Sequence, residues 1–154
     1  SLGRFTGTGR RFEKIGEVNG IILISDYAHH PTEIRTTLAA ARSRYPRNRI
    51  WAIWQPHTYS RTQSLMNEFA AAFTDADQVI VTAIYAARET NPSFTAQQVV
   101  DCMNHPAVQY LPEIDFVTTH LINTVQPGDV VVVLSAGDAN RILPDLLQKL
   151  EEKE

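Results

Sequence analysis

Two polar turns hold most of the residues in this chain that could do chemistry. Asp26-Tyr-Ala-His-His-Pro-Thr-Glu33 gathers a carboxylate, a phenol and two imidazoles, and Gln55-Pro-His-Thr-Tyr-Ser-Arg-Thr62 adds another imidazole, another phenol and a guanidinium. Imidazoles and an arginine facing a negatively charged group, beside a helix N-terminus, would make an anion or carboxylate site. Arg61 points the same way. It stands at the start of an expected helix, where the macrodipole disfavours a cation unless an anionic partner compensates. A zinc site could be drawn from His29 or His30 with His57 and Asp26, but no HxxxH or HxH spacing supports it, and no metal site is expected. The ordinary roles are equally concrete. Asp26 could cap the turn that follows it, one histidine could cap backbone groups while the other is solvated, and Tyr27 and Tyr59 could be packing residues.

Two further turns offer less. Tyr85-Ala-Ala-Arg-Glu89 supplies a second cation, Arg88, whose plainest role is a surface ion pair with Glu89. In Ser135-Ala-Gly-Asp138, glycine allows close backbone approach to a ligand, or the segment is an ordinary turn with Asp138 as helix cap.

The positions of these turns follow from the elements around them. Arg11–Val18 alternates as a half-exposed strand, and Asn19-Gly20 supplies a hairpin turn into the apolar run Ile21–Ser25. Pro31 suits a first helical turn, and Ile34, Leu38 and Ala41 keep helical spacing until Tyr45-Pro46. Strands are expected at Ile50–Trp54, Gln78–Thr82 and Val108–Leu111. A helix carries Met66, Phe69, Ala70 and Phe73, and others begin at the expected caps Thr95 and Asp115. Val130–Leu134, a β-branched run, reads as a strand buried on both faces, and Ile142–Leu150 as an amphipathic helix before a frayed acidic tail, Glu151–Glu154. The class is α/β: a mostly parallel sheet, helices on both faces and an N-terminal β-hairpin. In such sheets ligands collect at the carboxyl ends of strands, where both histidine turns fall.

The 154 residues fit one domain, 1–154, with 44% hydrophobic and 20% charged residues. A net charge of −3 lacks the basic surplus of a nucleic-acid binder, and Arg42, Arg44, Arg47 and Arg49 read as a solvated helix end and turn. A single cysteine, Cys102, excludes an intrachain disulfide. No apolar run approaches a membrane span, so a cytoplasmic location is expected. Gly3, Gly7 and Gly9 are followed by no Gly-Lys-Thr/Ser, so the chain has no Walker-type phosphate loop.

Phe5-Thr-Gly-Thr-Gly-Arg-Arg-Phe-Glu13 with Gly16-Glu17, then 26–33, 55–62, Ile84–Glu89 and Ala136-Gly-Asp138, resemble in order the C-terminal domain of the UDP-N-acetylmuramate–L-alanine ligases of the Mur ligase family. The resemblance implies a Rossmann-like domain of a three-domain enzyme, joined to an N-terminal UDP-sugar domain and a central ATPase domain that this chain does not include. It implies ATP-dependent amide formation from UDP-N-acetylmuramate and L-alanine through an acyl phosphate, with ATP and Mg held mainly by the central domain. The partners are those substrates and the enzyme's own other domains, with no nucleic acid and no membrane. Carried over by position, Asp26 meets the nucleotide, while Tyr27, His29, His57 and Arg61 surround the alanine and acyl phosphate. Some relatives carry arginine at the position of Thr58, so Arg88 is the candidate for a second cationic contact. The fragment alone is expected to be inactive. A murein-peptide recycling ligase shares the His-His-Pro turn, and a non-catalytic amino-acid- or nucleotide-binding module is the other alternative.

Overall fold

The computed structural model describes residues 11–153; Phe5–Arg10 of the first motif and Glu154 lie outside them. Strands β1 (Glu13–Val18), β2 (Ile21–Asp26), β3 (Ile50–Trp54), β4 (Gln78–Val81), β5 (Val108–Tyr110) and β6 (Val130–Leu134) form one sheet in the order β1-β2-β6-β3-β4-β5. Only β1 is antiparallel; it pairs with β2 through a tight hairpin at Asn19 and Gly20, whose φ values of 54° and 78° suit the twisted two-residue turn. The remaining pairs are all parallel.

The last strand is one of the two central ones. From β2 the chain passes through α1 (Pro31–Arg44) to β3, then through α2 (Tyr59–Ser64) and α3 (Met66–Ala70) to β4, and through α4 (Gln97–Cys102) to β5. It returns through α5 (Ile114–Thr124) to insert β6 between β2 and β3, and closes with α6 (Ile142–Glu152). Side-chain alternation divides the core. Ile24, Ala52, Trp54, Val132 and Leu134 face Ile34 and Leu38 of α1, Phe69 of α3 and Val99 of α4. Leu23, Trp51, Ile53, Val131 and Val133 face Val117 and Leu121 of α5 and Leu143 and Leu146 of α6. Every residue of β3 and β6 is buried, as strands covered on both sides must be. Fully burying each large aliphatic side chain is worth about 1.5–3 kcal/mol.

The expected strands and helices fall where the sequence placed them, with local corrections. The helix through Met66 is broken at Leu65, whose φ −114° and ψ 27° leave helical space and divide α2 from α3. Thr95 and Asp115 are not the caps: α4 starts after Ala96 and α5 after Glu113, neither with a side-chain cap bond, and Asp115 lies inside the first turn. Asp138 bonds Gln55 rather than capping the short 3-10 turn Ala139–Arg141. The tail stays helical to Glu152. Two of the basic residues are fixed rather than solvated. Arg42 pairs with Asp77 at 2.7 Å, and Arg49 pairs with buried Asp129 at 2.8 Å while lying over the Trp51 ring.

Candidate functional site

β2 and β3 both flank β6 and run parallel to it, so the two histidine turns leave the sheet on the same edge, one strand apart. The rings of His29 and His57 lie 6.0 Å apart at 63°, and Tyr27 meets His29 edge-on at 5.2 Å. The sheet thus brings together three of the expected site residues from two turns.

Each turn is built by its own bonds. Asp26 ends β2 at 3% exposure; its Oδ1 accepts from Ala28 N–H at 2.8 Å, and its Oδ2 from Phe12 N–H at 2.8 Å and Thr37 Oγ1 at 3.1 Å. Both oxygens therefore accept bonds from the chain itself, one from Ala28 and two from Phe12 and Thr37. Its cationic neighbour is Arg11, 3.7 Å from Asp26 and 3.6 Å from Glu33. His29 Nδ1 lies 3.0 Å from Tyr27 O, and the His29 N–H donates to Glu33 Oε1 at 3.1 Å. His30 is exposed and accepts from Thr32 N–H, capping α1. The Glu33 carboxyl sits below its ordinary range. Partial burial opposes that direction, but the His29 N–H, His29 itself and Arg11 outweigh it.

The second turn is held by the loop after β4. His57 and Tyr85 form an isolated parallel bridge beyond the ends of their strands. Tyr85 N–H donates to Pro56 O and Thr58 N–H donates to Tyr85 O, both at 2.8 Å. Their rings stack at 5.4 Å and 11°. Thr58 takes φ 66° and ψ 145°, a conformation that costs a β-branched residue of order 1–3 kcal/mol and concentrates at ligand sites. His57 Nδ1 is buried without a partner among the described residues. Its imidazole titrates below the usual 6.5, first because burial penalises the cation and then because His29 and Arg61 repel it, with Glu89 opposing.

Arg61 lies in α2, half-buried, with no ion pair of its own among the described residues and within electrostatic reach of His57 and Glu89. Arg88 is exposed and no contact joins it to the histidines. The Arg88–Glu89 ion pair does not form either. Glu89 instead accepts from Ser60 N–H at 2.9 Å and Ser60 Oγ at 2.5 Å, which ties its loop to α2 and holds the Glu89 carboxyl below its ordinary range. Gln55 Oε1 accepts from Ser135 Oγ and Ala139 N–H, and Gln55 Nε2 donates to Asp138, so the third loop is joined to the second turn. Gly137 does permit a close approach, but by the chain's own Tyr85 and Gln55. Sequence reasoning missed Tyr85 and Arg11. The one signal for Tyr85 was an aromatic residue placed just after a buried strand.

Among the described residues no three His, Cys, Asp or Glu side chains converge on a point, so they do not fit a metal ion on this chain alone. None of their helices is long and apolar enough to cross a membrane. The arrangement is a half-buried, imidazole-lined edge with Arg61 beside it, suited to an anionic or carboxylate-bearing ligand.

Residues 10–137 match the family model described as "Mur ligase, glutamate ligase domain". The chain is 47% identical over 153 residues to a UDP-N-acetylmuramate–L-alanine ligase of Gloeobacter violaceus, covering 97% of this chain and 33% of that one. It is likewise 47% identical over 154 residues to the enzyme of that name from Salinibacter ruber, covering 97% and 32%. The chain therefore spans about a third of the length of these curated relatives. A murein peptide ligase from Psychrobacter arcticus is 30% identical, with a TM-score of 0.75 over 92% of this chain and 30% of that one. A UDP-N-acetylmuramate-alanine ligase from Thermotoga maritima shares the fold at a TM-score of 0.78 and 23% identity, over 94% and 30%. With the histidine turns meeting on one sheet edge and the family model matching most of its length, the chain belongs to the Mur ligase family, in the part described as its glutamate ligase domain.

Proposed function

We propose that this chain is the amino-acid-side domain of an ATP-dependent ligase that joins L-alanine to UDP-N-acetylmuramate. The observation that carries the reading is the meeting of His29, His57 and Tyr27 on one sheet edge, with Arg61, which has no ion pair among the described residues, close by. The names of the 47%-identical relatives support the substrates. The muramoyl carboxylate takes the γ-phosphate of ATP to become an acyl phosphate. The alanine amine then attacks the acyl carbon, and phosphate leaves with the bonding pair.

In this scheme Arg61 pairs the alanine carboxylate, and Tyr27 and His29 wall the amino acid. With Nδ1 buried and unpartnered, neutral His57 carries its proton on Nε2 and donates it to an anionic oxygen of the acyl phosphate. Asp26 acts on the nucleotide side through Arg11, which it holds at the rim, and Arg88 remains a candidate second cation on its exposed loop. ATP and magnesium belong mainly to a companion ATPase domain, since this sequence has no phosphate loop and its described residues no metal cage. Domain closure would bring the two halves together.

The test is phosphate release by the full-length enzyme that contains this chain, with ATP and UDP-N-acetylmuramate fixed and the amine varied. Release should depend on L-alanine. The 30%-identical murein peptide ligase supports a second reading, in which a murein peptide replaces alanine in the same assay. Stimulation by neither amine would overturn both.

A further inference from the structure

We infer that Tyr85 is a positioning residue for His57, and that Gly137 is small so that Tyr85 can hold its place. The inference rests on the proposed role of His57 beside the acyl phosphate. Tyr85 belongs to neither layer of the core and remains 36% exposed, so packing does not account for it. Its ring instead covers one face of the His57 imidazole, nearly parallel at 11°, while His29 meets that imidazole edge-on.

Backbone bonds on both sides of His57 fix the same pair. The Pro56 carbonyl accepts from Tyr85 N–H, and Tyr85 O accepts from Thr58 N–H, which retains Thr58 in its positive-φ conformation. Tyr85 therefore stacks on the His57 ring and brackets its main chain as well. Behind it, a Cβ on Gly137 would come within 2.7 Å of Tyr85 Cγ and Cδ2 and of Gln55 Oε1. Real Cβ atoms essentially never come that close, so a larger residue there must shift the Tyr85 ring, Gln55 or its own backbone. The bonds of Glu89 to Ser60 close the loop on its far side. His57 is left with Nδ1 enclosed and Nε2 as the nitrogen open to a ligand. Its lowered proton affinity, from burial and then from His29 and Arg61 against Glu89, agrees with a neutral donor.

Two measurements test this separately from the parent reading. In the 154-residue chain, nuclear Overhauser contacts between the His57 and His29 rings, whose centroids lie 6.0 Å apart, should be lost in Tyr85→Ala and Gly137→Ala and retained in Tyr85→Phe, which keeps the ring and loses only the hydroxyl. In the full-length ligase, Tyr85→Ala should lower kcat/KM for alanine on the order of ten- to a hundredfold, as misplaced reacting groups do, with the KM for ATP unchanged. Tyr85→Phe should restore it, and Tyr85→Ala should cost nothing further in a His57→Ala background. His57–His29 contacts kept in Tyr85→Ala, or a full additional loss in that background, would overturn the inference. If His57→Ala itself leaves turnover intact while those contacts are lost in Tyr85→Ala, the positioning stands and the role proposed for His57 fails.

Discussion

Arg61 is the residue on which the proposed substrate side depends most directly. A charge-assisted bond of the kind assigned to it contributes about 1.5–3 kcal/mol, or roughly ten- to a hundred-and-fifty-fold in affinity. Arg61→Ala in the full-length enzyme should raise the alanine KM by that factor and leave those of ATP and UDP-N-acetylmuramate nearly unchanged. Arg61→Lys should recover part of the loss, because an ammonium lacks the planar fork. Steady-state kinetics with each substrate varied decides it, and an unchanged alanine KM with unchanged turnover removes Arg61 from the site. His57 makes a second prediction. Its proton affinity is lower in the folded state than the ordinary 6.5, so its contribution to stability is present above that pH. As the pH falls below it, the unfolded chain binds the proton first, and stability declines until the lowered folded value is passed. Denaturant titrations between neutral and mildly acidic pH should show this decline flattened in His57→Gln. Asp26, Tyr27, His29, His57 and Arg61 could be named from sequence because each stands in a turn after an apolar run. The occupation of both Asp26 oxygens and the Tyr85 stack could not. Asp26 capping its own turn at Ala28 was readable, but its bonds to Phe12 and Thr37 and the Tyr85 stack join elements that only the folded hairpin, helix and sheet bring together.

Thr58 shows what an element imposes on its boundary residue. It leaves β3 with φ 66°, turns the chain into α2 and caps that helix by accepting from Arg61 N–H at 3.3 Å. Thr58→Val keeps the strain and loses the cap, so it should destabilise by about 0.5–2 kcal/mol. Thr58→Gly loses the same cap but relieves the backbone, and should cost less than valine, in some part offset by glycine's unfolded-state entropy. Chemical denaturation of the two variants checks the order; valine matching or exceeding glycine would contradict the strain. At this scale the sequence was most legible where burial is complete, since β3 and β6 are uninterrupted apolar runs. It was least legible at helix ends. Nothing near Leu65 resembles a breaker, and the polar residues at 95 and 115 missed the caps by one or two positions because a cap is defined by backbone angle, not residue type.

At the scale of the molecule, the chain holds an imidazole-lined edge and no phosphate loop, so on its own it should neither hydrolyse ATP nor form an amide. Phosphate release by the purified chain above background, abolished by Asp26→Ala, would contradict that. The order β1-β2-β6-β3-β4-β5 has a further consequence, for synthesis. A ribosome delivers one of the sheet's two central strands last. Until Val130–Leu134 emerges, β2 and β3 each present an unpaired edge, and no backbone ladder joins the two halves, which share only the packing of α1. Vectorial folding from the N-terminus is therefore blocked, and the nascent domain must wait for nearly its whole length before it can close over such distant contacts. A chain stopped after Gly128 should remain protease-sensitive and aggregate, whereas one that ends after Glu152 should fold. The strand that divides the two histidine turns in the finished molecule is also the one whose arrival lets the domain form.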